Sequence, residues 1–317
     1  MKVLVTGGTG YLGRAIVRAM TARGHETVVF ARSATASDLP GRLVDGDIRD
    51  RPAVLAAADG CDAVCHSAAL VSIWRRRRAD FDEVNIGGLE NVLAAAADRG
   101  IPRIVYTSSF LALPPGGADE PLQSNDYQRT KVLAEHRARE AADRGVPIVC
   151  LYPGVIYGPG IITDGNLVGR MIADHLAHRL PGVIGADRIW SYAFVDDVAD
   201  GHVAALERGR AGARYALGGE NAPQMRAFEV VREQTGRPLP RRIPPLVARA
   251  IGLEELGRAL LFGTSPMLTP GTVTILDSDW ALDSGPAQRD LGYRSRPLRA
   301  GLTATIAGLT SAPQTVK

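Results

Sequence analysis

A short apolar run, Val3-Leu4-Val5, leads into Thr6-Gly7-Gly8-Thr9-Gly10-Tyr11-Leu12-Gly13, and apolar residues then follow at helical spacing: Leu12, Ile16, Val17 and Met20. This order constrains the chain more than anything else in it, because a buried parallel strand must turn on glycines directly into a helix. Gly7 permits the tight turn, Gly10 lets backbone approach a bound group, and Gly13 lets the helix pack close. The first turn of such a helix offers unpaired N–H groups and a partial positive charge, a seat for a pyrophosphate. Strand, spacing and helix together predict a dinucleotide site.

The strand-then-helix unit recurs. Strand-like runs lie at Thr27 to Phe30, Leu43 to Val44, Ala63 to Cys65, Ile104 to Thr107 and Ile148 to Leu151. Helix-like stretches fill most of the gaps, several of them closed by a glycine (Gly24, Gly100, Gly145) that suits the left-handed C′ position. Alternation of this kind predicts an α/β fold, a doubly wound parallel sheet, with a smaller C-terminal substrate-binding domain. The expected division is a dinucleotide-binding domain over 1–157, with a returning segment near 191–210, and a substrate-binding domain from 158–190 and 211–317. In the latter, helical segments are read at Leu167 to Arg179, Val198 to Glu207, Ala227 to Thr235 and Pro245 to Leu261. The polar end, Ser311 to Lys317, is expected to fray.

Composition removes several classes. The 317 residues are 45% hydrophobic and 22% charged, enough for two cores and too apolar for disorder. Cys61, Cys65 and Cys150 are too few for a disulfide framework or a zinc cluster, His66 has no partner at ligand spacing, and no metal site is expected. A reducing, cytoplasmic compartment fits. A net charge of +3 gives no reason to expect nucleic acid as a partner. No stretch reaches the roughly 18 to 20 uncharged apolar residues of a membrane span, so stable insertion is not expected; even Ile243 to Phe262 carries Arg249, Glu254, Glu255 and Arg258. That segment is amphipathic and reads equally as a lid over the substrate or as core, with interfacial membrane binding a weaker third reading. Arg75-Arg76-Arg77-Arg78, the most basic run, reads as a solvated face or as a grip on an anionic tail.

The second strand ends in Ala31-Arg32-Ser33, where an NAD site would usually place an acidic residue for the ribose 2′-hydroxyl. Arg32 can instead pair with a 2′-phosphate and stack on adenine, and Ser33 can donate to the same phosphate, so NADP(H) is expected over NAD(H). Farther on, Tyr127 and Lys131 stand four apart in a helical pattern and share a face. An ammonium and an oxidised nicotinamide would both favour the phenolate, making the tyrosine usable for proton transfer. Ser108 and Ser109 follow the strand ending at Thr107, at the carboxyl edge of the sheet where such folds bind ligands. Taken alone, a Tyr-x-x-x-Lys pair also fits a surface helix.

In company these motifs make the chain resemble the extended short-chain dehydrogenase/reductase superfamily over nearly its whole length. Gly7, Thr9, Gly10, Tyr11, Leu12 and Gly13 match its cofactor turn, Asp47-Ile48 its adenine-side acidic turn, and Ser67-Ala68-Ala69 the segment after the fourth strand. Asn85 matches its helix asparagine, Thr107 ends the strand before the serine, and Tyr152, Pro153 and Val155 fall in its nicotinamide-side motif. The resemblance implies that Ser109, Tyr127 and Lys131 are catalytic. Tyr127 would move the proton, Ser109 orient the substrate oxygen, and Lys131 lower the tyrosine pKa and hold the nicotinamide ribose.

Within the superfamily the likeness is nearest to dihydroflavonol-reductase-like and hydroxysteroid-dehydrogenase-like ketone reductases. Hopanoid-associated sugar-epimerase-like proteins are similar at Ala204 to Gly209 and Leu217 to Asn221. The carboxyl pair of the dehydratases is replaced by Ser108-Ser109-Phe110, and the diphosphate-gripping arginine of the sugar-nucleotide enzymes by Trp190, with Arg188 two positions away. These departures favour a small-molecule carbonyl or alcohol substrate, with Trp74, Phe110, Trp190 and Tyr192 as aromatic candidates for the pocket. A sugar 4-epimerase is the second reading and a nucleotide-sensing regulator the third. Alanine-rich faces on the helices near Asp82 to Ala97 and Asp126 to Ala142 predict a homodimer.

Overall fold

The computed structural model describes residues 1–163 and 165–311. In chain order its strands are β1 (Lys2–Thr6), β2 (Glu26–Ala31), β3 (Arg42–Asp45), β4 (Ala63–His66), β5 (Ile104–Thr107), β6 (Ile148–Pro153), β7 (Val155–Tyr157), β8 (Val183–Ile184), β9 (Ile189–Phe194), β10 (Arg214–Leu217), β11 (Glu220–Pro223) and β12 (Arg242–Ile243). The helices are α1 (Tyr11–Ala22), α2 (Arg51–Ala57), α3 (Ala79–Phe81), α4 (Gly88–Asp98), α5 (Asp126–Asp143), α6 (Leu167–Leu176), α7 (Val195–Arg208), α8 (Gln224–Thr235), α9 (Pro245–Phe262), α10 (Pro270–Leu276), α11 (Gly285–Leu291) and α12 (Leu298–Ser311). Apart from Ser311, the tail expected to fray lies outside the described residues.

Seven strands form a parallel sheet in the order β10-β6-β5-β4-β1-β2-β3, a Rossmann-like α/β fold. Its central strands are covered on both faces, which is why they read as unbroken apolar runs. Val3 and Val5 point to the layer that holds Ile16 and Val17 of α1 and Val198 of α7, whereas Leu4 points to the layer of Leu89 and Val92 of α4 and Ala134 of α5.

The smaller unit is built on a second sheet, β11-β9-β7, with α6, α8 and α12 closing an aromatic core around Tyr157, Trp190, Tyr192 and Phe194. Two boundaries differ from the sequence reading. The returning segment runs past 210, because Arg214–Leu217 extends the main sheet beside Cys150 to Pro153. Ile189–Phe194 instead leaves the large unit, since the face bearing Trp190, Tyr192 and Phe194 buries its rings in the small core. The units are clamped by Asp197 in the first turn of α7, which accepts from Arg296 N at 2.8 Å and from Arg296 Nη2 at 2.6 Å, while that guanidinium covers the Phe194 ring at 3.7 Å.

Of the alanines on these two helices, Ala95, Ala96, Ala134 and Ala138 are buried in the layer under the sheet. Small side chains there let α4 and α5 sit close to the strands and to each other. The segment Asp82–Gly87 before α4 is a π-helical stretch, not the start of a continuous α-helix.

Candidate active site

The glycine turn is packed to its limit. Gly7 has φ +71°, and a methyl group placed on it would lie 2.6 Å from Ala68 Cα; one placed on Gly13 would collide with the Gly7 carbonyl. Gly10 caps α1 without a side chain, no acidic residue occupies the first turn, and Arg14 Nε holds the turn by donating to Thr9 O at 3.2 Å. The first-turn N–H groups are therefore open toward the carboxyl edge of the sheet, and the cradle fits a dinucleotide pyrophosphate. Arg32 and Ser33 are exposed after β2, with no carboxylate within 4 Å of Arg32 among the described residues. Across from them the Asp47 carboxyl is held below the usual range, by Arg49 first and Arg32 least. Ile48 packs on Gly88 beside it.

Other residues of the motif support the site without facing it. Ser67 donates N–H and Oγ to Thr6 O, at 3.2 and 2.8 Å. Asn85 Oδ1 accepts from Leu70 N at 2.7 Å, and its Nδ2 donates to Leu70 O at 3.3 Å and to Thr130 Oγ1 at 2.9 Å. The π-helical stretch thus ties the Ala68-Ala69-Leu70 wall to α5. Tyr11 and Leu12 turn their side chains into the molecule, Tyr11 against Gly158 and Gly160. Pro153 ends β6 opposite Leu217, and Val155 is buried in β7.

Tyr127 and Lys131 sit one turn apart on α5, which Asn125 caps by accepting from Gln128 N at 2.8 Å. Lys131 is 3% exposed, and its Nζ donates to Thr107 O at 3.0 Å. Thr107 Oγ1 in turn donates to His202 Nε2 at 2.9 Å, while His202 Nδ1 donates to Val198 O at 2.8 Å. Burial pushes Lys131 down to about 8, with the Glu135 carboxylate pulling it back up. Tyr127 is pushed up to about 12 by burial, opposed by a hydrogen bond from Ser109, whose Oγ also accepts from Leu111 N at 3.2 Å. The structure thus selects Ser109 over Ser108 as the hydroxyl beside the tyrosine. Lys131 directs its N–H to the Thr107 carbonyl, and with burial as the main influence Tyr127 is a neutral phenol at pH 7.

Two residues of this site escaped the sequence reading. Gln128, fully buried, accepts from Ser124 N at 3.1 Å and donates to Leu111 O at 3.3 Å, pinning the turn after Ser109 to α5. Glu135, one turn beyond Lys131, accepts from Tyr152 Oη, and burial raises its carboxyl pKa. The signal was available as i, i+4 spacing along one face: Tyr127, Lys131, Glu135. Tyr152 is buried in the layer with Cys150, its hydroxyl donating to Glu135.

The aromatic candidates divide. Trp190 and Tyr192 are each 2% exposed and, with Val168, Ile172 and Phe228, surround a void of about 10 Å³, at most the room of one water. They are core, since period-2 alternation puts them on the inner face of β9. Phe110, next to Ser109, is half-buried, edge-on to Trp280 at 5.3 Å, and Trp74 is half-buried at the end of the 67–74 wall. Arg188 is engaged by Asp277 at 3.0 Å and Asp279 at 3.6 Å.

Residues 3–218 match the sequence model of the NAD dependent epimerase/dehydratase family. The chain is 33% identical, over 97% of its length and 98% of the relative's, to "Sterol demethylase protein B" of Methylococcus capsulatus. It is also 33% identical to the 2-alkyl-3-oxoalkanoate reductase of Stenotrophomonas maltophilia, over 92% of this chain and 94% of that one. Among solved structures, a nucleoside-diphosphate-sugar epimerase from Pseudomonas aeruginosa is similar with a TM-score of 0.75 and 26% identity, covering 98% of this chain and 97% of the other.

Proposed function

Because the chain belongs to the NAD dependent epimerase/dehydratase family, we propose that it is an NADP-dependent oxidoreductase interconverting a ketone and a secondary alcohol, with Tyr127 as general acid/base. The bound nicotinamide supplies or accepts the hydride. In reduction Tyr127 Oη gives its proton to the carbonyl oxygen, which Ser109 orients, and the hydride and that proton complete the alcohol. Lys131 keeps positive charge at the carboxyl end of β5, where it would hold the ribose. The observation that carries this reading is the meeting of Ser109, Tyr127 and Lys131 at that sheet edge, with the tyrosine protonated at neutral pH. Tyr127→Phe is expected to lower kcat of NADPH-dependent ketone reduction by roughly 10²- to 10⁴-fold. An unchanged rate would remove the tyrosine from the chemistry.

The relatives' names point to apolar, lipid-like ketones and alcohols, and half-buried Phe110, next to Ser109, suits such a substrate. A sugar 4-epimerase is the second reading, favoured by the likeness to the Pseudomonas enzyme. Arg188 counts against it, because two aspartates already take up the only arginine near the returning segment's start. Net NADPH consumption with a ketone, against none with nucleotide sugars, separates the two. NADP(H) preference rests on exposed Arg32 and Ser33. A cytoplasmic setting, supported by three buried free thiols, belongs to the same proposal. So does a homodimer through the outer faces of α4 and α5, where Arg137 and Glu90 pair; a monomer at micromolar concentration by light scattering would remove it.

A further inference from the structure

We propose that the outward face of α9, the residues just after it and the neighbouring Arg75-Arg76 pair form a docking surface for a bilayer that carries anionic phospholipid. Of the large apolar side chains exposed among the described residues, all but Met1, Ile161 and Leu239 lie between positions 246 and 267. The five most exposed are Leu246 at 77%, Leu260 at 72%, Leu261 at 78%, Phe262 at 75% and Met267 at 86%. This concentration is the reverse of a surface that merely scatters single apolar groups.

The helix is held to the protein by a narrow line of small residues, Ala248, Gly252 and Ala259. On the other side, at 100° per residue, Leu260, Leu253, Leu246, Leu261, Val247 and Ile251 sweep about 180° of the circumference, interrupted by the exposed Glu254–Arg258 pair between Leu261 and Ile251. One packed helix covers a narrower stripe than this, and Phe262 and Met267 continue the surface past the helix end. A planar interface accepts the whole arc at once, with α9 lying in its plane. Among the described residues no helix is long and apolar enough to cross a membrane, so the contact is peripheral.

Charge identifies the bilayer as anionic. Within the arginine run, Arg77 pairs with Asp80 and Glu83, and Arg78 with Asp126. Arg75 and Arg76 are exposed with no carboxylate within 4 Å among the described residues, and a methyl group on Gly263, at the end of α9, would sit 3.3 Å from Arg76 Nη1. Arg249, on the edge of the apolar arc, is also exposed and without an ion pair. The acids of this surface are occupied: Glu254 by Arg258 at 2.9 Å, and Glu255 by the N–H groups of Met267 and Leu268 at 2.6 and 3.0 Å. Unpaired cations beside exposed leucines and phenylalanine complement phosphate headgroups over acyl chains.

The surface adjoins the entrance to the trio. Trp74 precedes the free arginines, Arg78 binds Asp126 next to Tyr127, and Gly271 lies against the Ser124 carbonyl too closely for a methyl group. Docking would therefore present the mouth of the site to the membrane.

The test is flotation of the full chain with vesicles of phosphatidylcholine alone, or with about one third phosphatidylglycerol. Flotation with the anionic vesicles, weakened by added salt, is expected. Leu260→Ser/Leu261→Ser/Phe262→Ser should reduce it at least ~10-fold and Arg75→Ala/Arg76→Ala should reduce it on anionic vesicles, while both leave turnover of a short water-soluble ketone unchanged. A wild-type protein that floats with neither vesicle overturns the proposal, as does a triple-serine variant that floats equally well. Light scattering that shows a wild-type dimer and a monomeric triple-serine variant, with no flotation by either, would reassign the face to a second copy of the chain.

Discussion

Tyr127, Lys131 and Glu135 form one stripe along α5, and their charges are set by burial more than by one another. Lys131 titrates near 8 when folded against 10.5 as a free side chain, so the unfolded chain holds that proton more tightly between those values. The sign follows: wild-type stability rises with pH across that window, and below it the buried ammonium costs about 3 kcal/mol. Lys131→Met should therefore abolish turnover yet raise the thermal midpoint at pH 7, the trade expected where a site is paid for in stability. A lower midpoint would show that the bond to Thr107 outweighs the desolvation. In the wild type, kcat/KM for reduction should decline as pH rises through about 8, when Lys131 loses its charge. Glu135→Gln removes the group that holds the lysine proton and should move this decline to lower pH. An unmoved profile would leave Glu135 a purely structural residue. At the other end of the cofactor, Arg32→Ala should raise KM for NADPH more than for NADH, since only the former carries the 2′-phosphate.

Elements carry the trio into register, and the π-helical stretch Asp82–Gly87 shows how. Asn85 reaches both Leu70 and Thr130, so one side chain sets the distance between the 68–70 segment and α5. Asn85→Ala leaves Leu70 N–H unpaired and should cost about 1 to 3 kcal/mol. Cofactor KM should rise more than substrate KM, and equal changes would mean general destabilisation. Local pattern made much of this legible. The glycine turn, the strand Ile104–Thr107 and the Tyr127–Lys131 spacing were visible because period and turn chemistry act over a few residues. What stayed hidden depends on distant partners. Alternation puts Trp190 and Tyr192 on one face of β9, but nothing local says whether that face meets a cleft or a core, and Trp280, which pairs with Trp190 and backs Phe110, is far from both in the sequence. Arg188 was open to a diphosphate until Asp277 and Asp279 folded onto it. The buried alanines of α4 and α5 let these helices pack close to the sheet and to each other.

For the molecule as a whole, two neutral histidines fasten the carboxyl edge of the sheet. His66 Nδ1 lies 2.7 Å from Thr6 Oγ1 at the end of β1, and His202 Nε2 accepts from Thr107 Oγ1 at the end of β5. Burial drives both downward, to about 3 and about 4, below the 6.5 of a free imidazole. Between pH 6.5 and about 4 the unfolded chain therefore binds two protons that the folded chain refuses, and stability falls as pH falls. Each proton contributes a slope of about 1.4 kcal/mol per pH unit, and wild-type unfolding free energy should drop by about 3 kcal/mol from pH 6.5 to 5. His175, also lowered by burial, acts in the same direction, while the raised Glu135 opposes them by taking up a proton in the folded state first. The lowered carboxyls of Asp47 and Asp82 act at more acid pH, outside this window. Urea titrations with a constant m-value measure the drop directly. His202→Gln keeps an acceptor for Thr107 without a titrating ring, so its slope near pH 5 should be about 1.4 kcal/mol per pH unit shallower than the wild type's. Equal slopes would mean that His202 is already charged in the folded protein, and that Thr107 is not held by a neutral imidazole.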